Sequence, residues 1–81
     1  MIFNGKEYKN ILCVKQHPVR VNFPNYKKLD GKSLPLQEIH MADLVLCFKE
    51  NEIEVIKDRY GQKGKVYFKN DGEFAKFLLL L

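Results

Sequence analysis

Eighty-one residues make one domain spanning 1–81, because folded units below roughly 50 residues are rare and two would not fit. With 46% hydrophobic and 30% charged side chains, the chain has too much apolar material to stay disordered. No apolar run is longer than Phe77 to Leu81, which is too short to span a bilayer. The start, Met1-Ile2-Phe3-Asn4-Gly5-Lys6, has neither the basic opening nor the apolar run of a secretory signal. A cytoplasmic protein with no membrane contact is expected. Cys13 and Cys47 both fall in apolar, strand-like segments, which predicts two reduced core thiols.

Turn signals divide the chain. Asn4-Gly5 predicts a tight hairpin turn between Ile2-Phe3 and Lys6-Glu7-Tyr8. Residues 6–15 then alternate as a strand. Pro18 breaks it, and Val19, Val21 and Phe23 share one face of a second strand, so the first third reads as a hairpin pair. A loop follows, with Asp30-Gly31 as its turn. Over 34–43 the pattern fits strand or helix. Helix is preferred, with Ser33 as cap and Leu36, Ile39 and His40 on one face. Leu44 to Phe48 reads as a central strand covered on both sides.

Ile53 and Val55 are expected to face the core, with Glu52, Glu54 and Asp58 outward. After a turn at 60–64, Val66 and Phe68 point inward. An antiparallel ladder between these two strands sets Glu52 opposite Lys69, Glu54 opposite Tyr67 and Asp58 opposite Lys63. Asn70 or Asp71 then caps a helix with Glu73 in its first turn and Phe74, Phe77, Leu78 and Leu81 on one face. The fold class is α+β: a mostly antiparallel sheet of about five strands with a short C-terminal helix packed on one face.

Charge is unevenly spread. Residues 1–32 carry seven basic against two acidic side chains, 33–58 two against six, and 59–81 five against two. The N-terminal cluster of Lys15, Arg20, Tyr26, Lys27, Lys28 and Lys32 is the candidate nucleic-acid-binding surface, suited to phosphate contacts. Only two of the fourteen basic residues are arginine, the type preferred for bidentate recognition. The stretch Lys63-Gly64-Lys65-Val66-Tyr67-Phe68-Lys69 resembles the central octamer of RNA-recognition motifs. It departs from that octamer at Lys65 and Val66, where an aromatic and a small residue belong, and facing acids neutralise it. The opening Phe3-Asn4-Gly5-Lys6-Glu7-Tyr8 resembles the first strands of distal tail proteins of long-tailed phages, which implies an assembly role.

No catalytic motif is present: no phosphate-binding loop, no dinucleotide glycine pattern, no serine-nucleophile motif. Cys13 and His17 lie roughly 13 Å apart along a strand, too far for a nucleophile–base pair. The spacings among Cys13, His17, His40 and Cys47 do not match the close paired ligands of zinc modules. The sequence therefore predicts a non-enzymatic binding protein without cofactor or metal. Its main partner is another protein, as homo-oligomer, assembly subunit or inhibitor-type accessory protein. A nucleic-acid-binding module is the alternative. The expected protein interface is Phe77, Leu79 and Leu80, because the two leucines fall off the helical face that the core can cover.

Overall fold

A computed structural model describes residues 2–16, 25–49, 52–61 and 64–80. In chain order the elements are β1 (Ile2–Phe3), β2 (Lys6–Glu7), β3 (Ile11–Lys15), β4 (Lys27–Lys28), α1 (Leu36–Met41), β5 (Leu44–Lys49), β6 (Glu52–Asp58), β7 (Gly64–Tyr67) and α2 (Asp71–Leu79). Five strands form one sheet in the order β4-β3-β5-β6-β7, and β1 and β2 form a separate hairpin. The class is α+β, with a mostly antiparallel five-stranded sheet. The exception is the β3–β5 pair, which runs parallel from Ile11↔Leu44 to Lys15↔Phe48. A parallel pair needs a long connection, and here that connection carries β4 and α1. The strand expected over 19–23 lies outside the described residues.

Asn4 and Gly5 both have positive φ (51° and 77°), as a two-residue hairpin turn demands. At the second turn signal Gly31 has φ 85°, and its N–H donates to Lys28 O at 2.9 Å. The 34–43 segment is a helix, with two corrections. Its N-cap is Pro35, without a side-chain hydrogen bond, while Ser33 bridges to Lys27. Of the expected face only Ile39 is buried; Leu36 and His40 are exposed. A helix this short is not stable on its own residues. It is held by Ile39 and by Lys57, whose ammonium donates to Ile39 O, His40 O and Ala42 O at 2.8, 3.0 and 2.8 Å. A cation on the terminal carbonyls also complements the helix dipole.

The sheet separates two apolar clusters. On one side Val14, Tyr26, Leu34, Ile39, Ala42, Val45, Cys47 and Ile56 pack beneath α1. On the other, Phe3, Tyr8, Leu44, Leu46, Ile53 and Val55 meet the hairpin and α2. β5 alternates between them and is buried from Leu44 to Cys47, which is why it reads as an unbroken apolar run.

β6 carries a bulge. Val45 pairs with Lys57 but Leu46 pairs with Val55, leaving Ile56 as the extra residue. That insertion moves Asp58 to the face of Ile53 and Val55, so Asp58 is buried rather than outward. The β6–β7 register also differs by two residues from expectation: Glu52 opposes Tyr67 and Glu54 opposes Lys65. The bulge and the turn from Asp58 O to Gly61 N–H draw β6 away early, so pairing begins at Val55↔Gly64. A two-residue shift preserves the faces. Lys65 still meets an acid, Glu52, at 3.3 Å, and Lys63 lies outside the described residues.

Candidate functional site

Three places concentrate chemistry or exposed surface. The first is the sheet end where β3 and β5 begin and β6 finishes. Tyr8 is buried and its hydroxyl donates to the Asp58 carboxylate, 6% exposed. The Tyr60 N–H donates to the same carboxylate. Burial pushes the Tyr8 phenol up to about 12, reinforced by the Asp58 charge. Burial also pushes Asp58 up, but the hydrogen bonds from Tyr8 and Tyr60 and the charges of Lys6 and Arg59 outweigh it, and its pKa lies below the usual value. The guanidinium of Arg59 stacks on the Tyr8 and Tyr60 rings at 5.4 and 5.0 Å. It also donates to Glu7 O at 2.7 Å. Asp43 accepts the Asn10 and Lys9 N–H groups, which lower its pKa. The result is a phenol that keeps its proton and carboxylates that stay ionised around neutrality. Neither the phenol nor the carboxylates sit near the pKa of a general acid or base working at neutral pH.

The second place is the C-terminal helix. Asn70 accepts the Glu73 N–H at 2.9 Å as the N-cap, and the Glu73 carboxylate accepts the N–H of the preceding residue, Lys69, at 3.3 Å. No residue of α2 is fully buried. It attaches through Phe74 and Phe77, whose rings meet Phe48 and Phe68 at 5.4–6.4 Å centroid separation. Phe77 also meets Phe3 at 5.7 Å. Of the expected interface, Phe77 is thus half-buried against the sheet. Leu79 and Leu80 are 87% and 74% exposed, and Leu78 adjoins them at the surface. Leu81 lies outside the described residues.

The third place is the N-terminal basic cluster, which the fold takes apart. Tyr26 is buried in the core beneath α1, so its ring is not available to stack on a base. Lys28 is 2.7 Å from the Glu38 carboxylate, and Lys32 approaches Asp30 at 4.0 Å. Arg20 lies outside the described residues. Lys15 and Lys27 remain exposed and directly opposite each other across β3 and β4.

The cysteines are separated by the sheet. Cys13 packs against the cluster of Phe3 and Leu46, Cys47 within that of Val14 and Ile39, so the two cannot bond to each other or share a metal ion. Burial pushes the Cys13 thiol up to about 11, which suppresses thiolate chemistry at neutral pH. His17 lies outside the described residues. Among those described, no group of three metal-ligating side chains converges, and no helix is long and apolar enough to cross a membrane.

Sequence reasoning missed the Tyr8–Asp58 contact altogether. Its partners are fifty residues apart, and strict alternation along β6 puts Asp58 on the wrong face. The one available signal was Asp58 itself, an acid closing an apolar strand beside Arg59-Tyr60. No family model, curated protein or solved structure matches the chain.

Proposed function

We propose that this chain is a non-enzymatic binding protein whose partner is another protein, and that a second copy of itself is the occupant best supported. The observation that carries this is the run Leu78-Leu79-Leu80 at the surface of a helix anchored by two phenylalanines. Burying a leucine is worth about 1.5–3 kcal/mol, so two from each chain support a weak dimer. Charge favours a symmetric arrangement. Asp71 and Glu73 lie in the first turn of α2 and Lys76 in its last, so an antiparallel helix pair sets each acidic start beside the other's lysine. Replacing Leu79 and Leu80 with Glu should shift sedimentation towards monomer. The thermal midpoint should barely change, since neither side chain is buried within the chain. A wild-type protein that sediments as monomer at high micromolar concentration overturns self-association.

A nucleic-acid surface is the second reading, supported by one observation: Lys15 and Lys27 stand opposite each other. Like charges so placed repel, and a bound phosphate would relieve them. Lys15→Glu with Lys27→Glu should then weaken polyanion binding more than Lys65→Glu with Lys69→Glu, and the wild type should show a steep salt dependence. A flat salt dependence removes this reading.

A further inference from the structure

The N-terminal hairpin and α2 lie over the same apolar cluster and lean on each other. β1 and β2 pair through Ile2↔Glu7 and Phe3↔Lys6 and, among the described residues, with no strand of the five-stranded sheet. Two residues per strand do not hold a hairpin in water. α2 spans nine residues, also too few to persist alone, since isolated helices below about 12–15 residues are marginal. Burial over Leu44, Leu46, Ile53 and Val55 is what holds each of them. Phe3 is 5% exposed and meets the Phe77 ring at 5.7 Å, while Phe77 meets Phe48 and Phe68 on its sheet side. Lifting the hairpin bares one side of Phe77, and lifting α2 bares Phe3.

The other end of the hairpin is fastened where β6 finishes. Tyr8 donates to Asp58, the Arg59 guanidinium donates to Glu7 O at 2.7 Å, and the Lys6 ammonium lies 4.7 Å from the centre of the Tyr60 ring. Asn10, just beyond, is pinned. Its N–H donates to the Asp43 carboxylate at 3.2 Å, and its carbonyl accepts the Asp43 and Leu44 N–H groups at 2.8 and 3.2 Å. A pivot for the hairpin therefore falls between Tyr8 and Asn10, and α2 has its own beyond Phe68. On the opposite face α1 is held separately, by the three carbonyl contacts of Lys57 and by the Lys28–Glu38 pair.

We propose that the hairpin and α2 form one hinged cover, opening and closing as a unit over this face of the sheet while the α1 face stays packed. The open state bares Leu46, Ile53, Phe48 and Phe68 and returns the Asp58 carboxylate to water, so the Tyr8–Asp58 bond is the latch. A carboxylate stripped of its donor is costly only while it stays buried. Tyr8→Phe therefore favours the open cover, and its effect is felt along α2 as well as in the hairpin.

The test is native-state hydrogen exchange across a low denaturant series. It uses the full chain carrying Leu79→Glu and Leu80→Glu, which removes any protection owed to a second copy. Hairpin and α2 amides should converge on one isotherm, with a smaller slope than that of the β5 amides. Adding Tyr8→Phe should speed α2 exchange about tenfold, by the same factor as at Phe3 and Lys6. Adding Asn70→Ala instead, in the cap of α2, should speed exchange at Phe3 and Lys6 by the same factor as along α2, about fivefold. Isotherms that stay apart, a hairpin unprotected while α2 is protected, or either variant acting only on its own element each overturns the proposal. A single isotherm shared with β5 overturns it too, because no partial opening then exists. Every readout is taken without the two leucines, so none depends on whether the wild type self-associates.

Discussion

Asp58 decides much of how the molecule responds to pH. Its pKa is depressed in the fold, as is that of Asp43. A depressed carboxylate stabilises the protein above its unfolded value near 3.9, and that stability is lost as pH falls through the lower folded value. Tyr8 acts with the opposite sign. Its pKa, raised to about 12, adds stability below the unfolded value near 10 that disappears as pH climbs towards the folded one. Cys13, raised to about 11, acts with the same sign as Tyr8, so thermal midpoints should be flat from about pH 5 to 8 and fall on both sides. Tyr8→Phe should cost about 1–3 kcal/mol, because Asp58 loses a buried donor. It should also weaken the alkaline limb, leaving the share that the raised Cys13 thiol contributes. The acid limb should become shallower, because Asp58 without its donor is held less far below its unfolded value. A variant whose alkaline limb is unchanged would mean that another group sets it.

At the scale of elements, α2 and the sheet differ in how firmly they are held. β5 is buried over four successive residues, whereas α2 has none buried and relies on its cap and two rings. Asn70→Ala should cost about 1 kcal/mol, read as a lower denaturant midpoint with unchanged slope. Native-state exchange should find α2 amides opening well before those of β5; equal protection would show that α2 belongs to the global unfolding unit. The elements themselves were largely legible in the sequence. Asn4-Gly5 demanded its turn, Leu44 to Phe48 its central position, and Asn70 with Glu73 the start of α2. Three things were not. The parallel β3–β5 pairing depends on contacts across thirty-three positions, and no local pattern encodes it. The bulge at Ile56 breaks the alternation on which Asp58 was assigned. The basic cluster looked continuous in the chain, yet folding buries Tyr26 and gives Lys28 to Glu38. Leu79 and Leu80 needed no tertiary information, because their places off the Phe74–Phe77 face follow from helical spacing alone.

For the molecule as a whole, the two outer strands of the sheet carry their own protection. β4 is only two residues long and both are lysine, and β7 presents Lys65 on four residues. Short, charged edges resist open-ended stacking of sheet on sheet, so association through α2 should stop at a closed species rather than a fibre. Sedimentation at rising concentration should therefore reach a plateau. The parallel pair at the centre has a consequence in time. β5, β6 and β7 follow one another in the chain and pair antiparallel, so they can zip locally. β3 must wait until the whole stretch bearing β4 and α1 has been drawn in, and closing that loop costs entropy before the contacts repay it. The meander is thus the expected nucleus. Ile53→Val should mainly slow folding, while Val14→Ala should mainly hasten unfolding, seen as opposite arms of the chevron moving. Until β3 docks, the Leu44–Cys47 stretch of β5 has a bare flank, so the newly made chain is most exposed to aggregation in the interval between the meander closing and its N-terminal strand arriving.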